Sequence, residues 1–157
     1  MKPQAAAFAK LSQPRLRSIY QRERLFAQLD DLRQHPALWI AAPGGCGKTT
    51  LVASYVQARN LPCVWYQIDG GDTDLQSFFH HLNVAIQRAS PRFRRPLPQL
   101  KPEHLTDLEA FTRNLFREIA KRLDPETVLV FDNVQDAGEM PQFLDGLRIG
   151  ISPRPCE

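Results

Sequence analysis

The sequence predicts an α/β fold in which helices cover both faces of a mainly parallel β-sheet, giving a three-layer sandwich. Two observations support this class. First, short apolar runs that are typical of buried strands alternate with longer segments whose apolar residues recur at helical spacing. Second, a glycine-rich turn directly follows the first of these runs. With 157 residues, the chain has the length of a single domain with a hydrophobic core.

Each element is predicted from the spacing of apolar residues and from the residues that begin or end helices. The predicted helices cover residues 18–33, 48–58, 74–89 and 106–123, with a shorter one at 140–144. The predicted strands cover residues 37–41, 63–68, 127–131 and 147–151. Asp74 or Thr73 can cap the third helix, and Thr106 can cap the fourth. Residues 90–103 contain four prolines and predict a linker or a long loop.

The composition is that of an ordinary soluble protein, with 43% hydrophobic and 24% charged residues. A net charge of +3 favours neither nucleic acid nor a membrane surface as partner, and no run approaches the about 18 apolar residues of a membrane span. The three cysteines lack metal-binding spacing, so we expect a reducing, cytoplasmic setting. We predict a flexible segment over residues 1–14 and one domain over residues 15–157.

The glycine-rich turn matches the phosphate-binding loop called Walker A at every position but the first, where alanine replaces glycine. Its residues are Ala42, Pro43, Gly44, Gly45, Cys46, Gly47, Lys48 and Thr49. The glycines let successive backbone N–H groups point at phosphate oxygens, and the following helix adds the positive end of its dipole. Lys48 supplies a cation to the β- and γ-phosphates, and Thr49 offers its hydroxyl to Mg²⁺. The turn therefore predicts a site for a nucleoside triphosphate.

A second acidic position completes this prediction. Residues 128–131 form an apolar run that ends in Asp132, which is the pattern of a Walker B strand that delivers a carboxylate to Mg²⁺. Many ATPases place an acid at the next position, but here it is Asn133, whose amide can orient water without accepting its proton. Asp136 and Glu139 are candidate substitutes. We therefore expect tight binding with slow hydrolysis.

Other residues near these segments allow two interpretations. Asp69 and Asp72 follow the second predicted strand and can either cap the next helix or approach the nucleotide. Cys46 lies near a helix N-terminus, which can activate a thiol, but a variable loop position filled by a small residue is the favoured interpretation. We expect Trp65 and Tyr66 to be core and edge residues rather than a platform for base stacking.

With these residues placed, the chain resembles the nucleotide-binding domain of STAND-class signal-transducing ATPases. Within that class it is similar to the maltose-activator-like (MalT-type), LuxR-family transcription regulators of bacteria. The resemblance rests on Ala9-Lys10-Leu11 with Pro14-Arg15-Leu16, on Arg22-Glu23-Arg24-Leu25, on the phosphate loop with Thr50-Leu51, on Trp65-Tyr66-Gln67-Ile68-Asp69 with Asp72, and on Val130-Phe131-Asp132-Asn133.

The resemblance implies ATP as the nucleotide and a nucleotide-controlled switch between monomer and oligomer. It adds Arg22, near the adenine, and Thr50 to the expected nucleotide site. It also implies an ASCE/AAA-like P-loop sheet in which residues 147–151 insert between the Walker A and Walker B strands. Ser152 and Arg154 would then correspond to a γ-phosphate-sensing pair, although Pro153 separates them.

Regulators of this class continue through further domains that end in a DNA-binding helix-turn-helix. We therefore expect a domain that is truncated at its C-terminus, whose partners are nucleotide, further copies of itself or other domains of a larger regulator, with no direct DNA binding and no membrane. Two alternatives remain: a non-catalytic nucleotide-binding fragment, and a small-molecule P-loop kinase with residues 92–95 as a lid. A GTPase is disfavoured because no Asn-Lys-x-Asp guanine motif occurs.

Overall fold

The computed structural model describes residues 9–16, 21–72, 74–90 and 95–137. The helices are α1 (Glu23–Leu32), α2 (Lys48–Ala58), α3 (Leu75–Ala89) and α4 (Leu108–Ala120). The strands are β1 (Cys63–Gln67) and β2 (Val128–Asp132). Short 3-10 segments cover Gly70–Asp72, Pro102–Asp107 and Val134–Ala137. The elements predicted at 140–144 and 147–151 and the pair Ser152 and Arg154 lie outside the described residues.

The two strands are parallel neighbours, and Gln67 pairs in register with Asp132. Two further backbone bonds extend the ladder beyond the ends of β1, since the Val128 N–H donates to the Pro62 carbonyl at 2.8 Å and the Ile68 N–H donates to the Asp132 carbonyl at 2.9 Å. The carboxyl ends of both strands therefore meet at one edge of the sheet. A parallel pair requires a long crossover, which α3 and α4 supply here. This arrangement confirms the predicted α/β class.

A large core fills the space between one face of the sheet and helices α3 and α4. Alternate residues of β1, Val64 and Tyr66, point to this face, as the strand period requires. The buried partners from the helices and the intervening loop are Phe78, Phe79, Leu82, Ala85, Ile86, Leu97, Phe111, Leu115, Phe116 and Ile119. Full burial of each large apolar side chain stabilises the fold by about 1.5–3 kcal/mol. This core fixes the direction of β1.

A smaller core lies on the other side of the sheet and joins α1 to α2. Its buried members are Phe26, Leu29, Tyr55 and Val56, with Cys63 of β1 packed against them. Because Cys63 and Val64 are successive residues of β1, their side chains point to opposite faces of the sheet. Helices therefore cover both faces, as the three-layer prediction requires.

A charged contact reinforces the pair α1 and α2. The Tyr55 hydroxyl donates to the Asp30 carboxylate at 2.7 Å, and the Arg59 guanidinium contacts the same group at 2.7 Å. Burial and the bond to Asp30 raise the pKa of Tyr55, and bonds from Arg59 and Tyr55 lower the pKa of Asp30. The contact therefore joins the C-terminal halves of the two helices.

The strand predicted at residues 37–41 is wrong for this structure. These residues lie outside both strands, and Leu38 and Trp39 are 42% and 68% exposed. Apolar content alone does not make a strand, because the backbone groups need a neighbouring strand to bond. The neighbour expected for this segment, residues 147–151, lies outside the described ranges.

Several predicted boundaries also change. Helix α1 begins at Glu23, not at residue 18, and α4 ends at Ala120, not at 123. Asp107, not Thr106, caps α4, because its carboxylate accepts from the Ala110 N–H at 2.9 Å. Thr106 instead lies within the preceding 3-10 turn. The predicted cap of α3 is confirmed for Asp74, which accepts from the Ser77 N–H at 2.8 Å.

Residues 1–14 and 90–103 are predicted to be a flexible segment and a linker or long loop. Parts of both segments make packed contacts where the structure describes them. Lys10, within the segment predicted to be flexible, is only 8% exposed. In the proline-rich loop, Leu97 is buried in the large core, and Arg122 donates to the carbonyls of Arg95 and Pro96. Among the described helices, none is long and apolar enough to span a membrane.

Candidate functional site

The predicted phosphate loop forms an exposed turn that leads into the N-terminus of α2. Gly45 and Gly47 have φ values of +78° and +77°, a conformation that glycine adopts without the steric cost of a side chain. Gly44 does not share this requirement, since its φ is not positive and open space surrounds the position of a Cβ. The backbone therefore requires two of the three predicted glycines.

Gly47 is also the N-cap residue of α2. In the described structure no side chain caps this helix, so its first backbone N–H groups are available to a ligand. Lys48 is the first helical residue, and its ammonium donates to the carbonyls of Ala42 and Pro43 at 2.8 and 3.1 Å. An uncapped helix N-terminus beside a lysine is a site suited to an anion.

Thr49 and Asp132 meet at the centre of the site. The Thr49 hydroxyl donates to Asp132 Oδ1 at 2.9 Å, and the Asn133 N–H donates to the same oxygen at 3.1 Å. Both side chains are half-buried. A hydroxyl and a carboxylate are hard oxygen donors, which fit Mg²⁺ bound partly through phosphate and water. No cluster of three or more His, Cys, Asp or Glu that could hold a metal occurs in the described part of the chain.

The backbone at Asn133 turns sharply. Its φ of +58° lies in the left-handed region, where asparagine is favoured among residues with a side chain. The Asn133 carbonyl accepts from the Asp136 N–H at 2.8 Å, which opens the turn Val134–Ala137. In the sequence, Asn133 indicates only a substitution at a catalytic position, and its conformational role depends on the left-handed backbone seen in the structure. Asp136 is exposed on the turn, and Glu139 lies outside the described residues.

Arg22 comes close to the phosphate loop from a different part of the chain. It is the N-cap residue of α1, and a Cβ on Gly47 would lie 3.7 Å from Arg22 Nη2. The guanidinium thus adds a second cation at the loop besides Lys48. Thr50 and Cys46 are exposed, Thr50 in the first turn of α2 and Cys46 in the loop itself.

Asp69 and Asp72 are predicted either to cap α3 or to approach the nucleotide, and the structure shows which groups they contact. Asp72 is 1% exposed and accepts from Lys10 Nζ and from the Tyr66 hydroxyl, both at 2.7 Å. Asp69 accepts from the Gly71 N–H at 2.9 Å. Neither carboxylate caps α3, and both contact Lys10 of the N-terminal segment, at 3.3 Å for Asp69 and 2.7 Å for Asp72. Tyr66 and Trp65 are buried in the interior, as predicted.

A parallel sheet, a glycine-rich loop that leads into a helix N-terminus and an acidic residue at the end of the neighbouring strand together define a P-loop nucleotide-binding domain. The family model described as "AAA ATPase domain" matches residues 19–147. The chain belongs to this family.

Two curated relatives are the "HTH-type transcriptional regulator MalT" proteins of Klebsiella pneumoniae subsp. pneumoniae and of Klebsiella pneumoniae strain 342. Each is 37% identical over 149 residues, which is 94% of this chain and 16% of the relative. The chain thus spans about a sixth of their length. The predicted resemblance to MalT-type regulators is confirmed. No solved structure matches the chain significantly.

Proposed function

We propose that this domain binds ATP together with Mg²⁺ and acts as a nucleotide-controlled switch. The main observation that supports this proposal is the hydrogen bond between Asp132 and Thr49, the last residue of the phosphate loop. It brings the two expected Mg²⁺ ligands together at the first turn of α2, whose N-terminus no side chain caps in the described structure. Family membership supports a nucleotide as the ligand.

Each residue of the site has a distinct task in this proposal. The N–H groups of the loop, from Gly44 to Thr49, would hold the phosphates of a bound nucleotide. The Lys48 ammonium, which donates to the carbonyls of Ala42 and Pro43 in this structure, would supply a positive charge to them. Arg22 places a second positive charge beside the loop.

Hydrolysis is expected to be slow. Asp132 is engaged with Thr49, and Asn133 has no group that accepts a proton at neutral pH. The domain would therefore hold ATP for long periods, which suits a switch. A turnover of many ATP molecules per second by the purified chain would contradict this proposal.

The relatives suggest the biological setting. They are named as transcriptional regulators, so we propose that the domain controls such a regulator, through contacts with further copies or with other domains, in the cytoplasm. We do not assign DNA binding to these 157 residues. A fragment that binds nucleotide without turnover is the second candidate, and Asn133 favours it over rapid hydrolysis because its amide cannot accept a proton.

The decisive experiment measures binding of ATP and GTP with and without Mg²⁺, followed by phosphate release. Lys48→Ala is expected to raise the Kd for ATP about tenfold to a hundredfold, the value of a lost charge-assisted hydrogen bond. Lys101→Ala is the matched control, because Lys101 is an exposed lysine far along the chain from the loop. Unchanged ATP binding in Lys48→Ala would refute the site, and phosphate transfer to an added acceptor would indicate a kinase.

A further inference from the structure

The N-terminal segment, residues 9–16, lies against the edge of β1 that faces away from β2. The Gln67 N–H donates to the Lys10 carbonyl at 2.8 Å. The next N–H along the chain, that of Ile68, donates to Asp132 of β2. Because successive N–H groups of an extended chain point to opposite sides, Gln67 faces the other edge. The segment therefore pairs the Gln67 N–H, which points away from β2 at this edge of β1.

A buried ion pair holds this segment in place. Lys10 and Asp72 are 8% and 1% exposed, and Lys10 Nζ lies 2.7 Å from Asp72 Oδ1 and 3.3 Å from Asp69 Oδ1. Such a pair withstands burial only when further hydrogen bonds satisfy it. The Tyr66 hydroxyl and the Asp69 N–H supply them, at 2.7 and 3.1 Å.

The same segment also reaches the helix that follows the phosphate loop. Gln13 Nε2 donates to the Ala53 carbonyl of α2 at 3.0 Å. Nine residues further along the chain, Arg22 lies against Gly47. Residues 9–16 therefore bond to β1 through Lys10 and to α2 through Gln13. Arg22, which lies beside the phosphate loop, follows this segment in the chain.

We propose that residues 9–16 act as an N-terminal clamp in which Lys10 is a positioning residue for Arg22. The buried pair of Lys10 with Asp72 fixes the clamp, the clamp sets where α1 begins, and Arg22 is held beside the phosphates as a result. Nucleotide affinity thereby depends on a lysine that does not touch the nucleotide. The proposal rests on the proposed function for its effect on ATP, but the clamp itself is a structural claim that stands separately.

The experiment uses Lys10→Met in the 157-residue chain, which removes the charge and keeps the aliphatic stem. Hydrogen exchange of the Gln67 amide, read against the Ile68 amide, reports on the clamp. We expect Gln67 to lose protection about tenfold relative to Ile68, because only Gln67 bonds to the segment. Lys101→Met, at an exposed lysine, should change neither amide. A ratio of Gln67 to Ile68 protection in Lys10→Met that is unchanged from the wild type would overturn the clamp.

A double-mutant cycle on the Kd for ATP tests the link to Arg22. We expect Lys10→Met and Arg22→Ala each to weaken binding several-fold, and the double variant to be no worse than Arg22→Ala, because both act through one guanidinium. Additive effects would overturn the link. If Lys10→Met does not fold, Gln13→Ala, which loses only the bond to α2, replaces it in both measurements. Absence of ATP binding in the wild type would instead refute the proposed function, and the exchange result would still decide the clamp.

Discussion

Thr49 and Asp132 lie 83 residues apart in the chain, and their side chains meet at 2.9 Å. The contact forms because α2 begins at the loop while β2 ends at the same edge of the sheet as β1. Two polar side chains of ordinary type thereby become a candidate metal site. At the scale of single residues, the candidate metal site therefore depends on where the fold places these two side chains more than on their residue types.

Asn133 provides the test at this scale. Replacing it with glutamate, the acid that many ATPases carry there, is expected to lower the free energy of unfolding by about 1–2 kcal/mol, because the left-handed backbone disfavours most side chains. Urea unfolding measures the change. Asn133→Gly is the control and should remain close to the wild type, since glycine accepts this conformation. A fully stable Asn133→Glu variant would show that the turn does not select for asparagine.

At the scale of secondary-structure elements, the N-terminal caps of α3 and α4 show which side chains determine where a helix begins. Asp74 caps α3, and Asp107 caps α4 although the neighbouring Thr106 carries an equally suitable oxygen. Thr106 is engaged elsewhere, since its hydroxyl donates to the Glu103 carbonyl at 2.9 Å. The 3-10 turn Pro102–Asp107 includes Thr106, and Asp107 is the residue that directly precedes α4.

This assignment predicts unequal effects at two adjacent residues. Asp107→Ala is expected to destabilise the domain by about 1 kcal/mol, because the Ala110 N–H loses its acceptor. Thr106→Ala, as the matched control, removes only a local hydroxyl bond on an exposed turn and should cost less. Thermal or urea unfolding compares the two variants. A larger loss of stability in Thr106→Ala than in Asp107→Ala would indicate that Thr106 caps α4.

At the scale of the whole molecule, the candidate site lies where two separately packed parts meet. The small core packs α1 against α2, and Arg22 at the N-terminus of α1 lies beside the loop. The large core fixes β1, and the parallel register then places Asp132. The bond from Thr49 to Asp132 joins the two parts.

The buried carboxylate of Asp72 gives the whole fold a predicted response to acid. Burial opposes its ionisation, yet bonds from Lys10, Tyr66 and the Asp69 backbone outweigh burial and hold the pKa of Asp72 below its ordinary value of 3.8. A carboxyl whose pKa is lower in the folded state stabilises the fold above that ordinary value. The contribution is then lost as the pH falls through the folded pKa.

We therefore expect the free energy of unfolding to fall as the pH drops below about 4, and to fall less steeply in Asp72→Asn. Urea unfolding at a series of pH values measures the slope. Asp31→Asn controls for the removal of one negative charge, because Asp31 is exposed on α1. An identical slope in wild type and Asp72→Asn would mean that the buried pair does not contribute to the acid response.

The sequence by itself determined the α/β class, the phosphate loop and the acid at the end of β2. These features depend on neighbours in the chain, namely apolar periodicity, glycines at a turn and a polar residue after a strand. They can be recognised without knowing what packs against them. The same holds for Asp74 as a helix cap.

The tertiary structure alone decided that Arg22 lies at Gly47, that Lys10 is buried against Asp72 and that residues 37–41 form no strand. Each of these facts depends on groups far apart in the chain. A lysine at position 10 becomes a buried ion only when a carboxylate 62 residues later reaches it, and an apolar run becomes a strand only beside a hydrogen-bonding neighbour. The pattern of neighbouring residues does not indicate which distant groups a residue will contact, so these three features depend on how the chain packs.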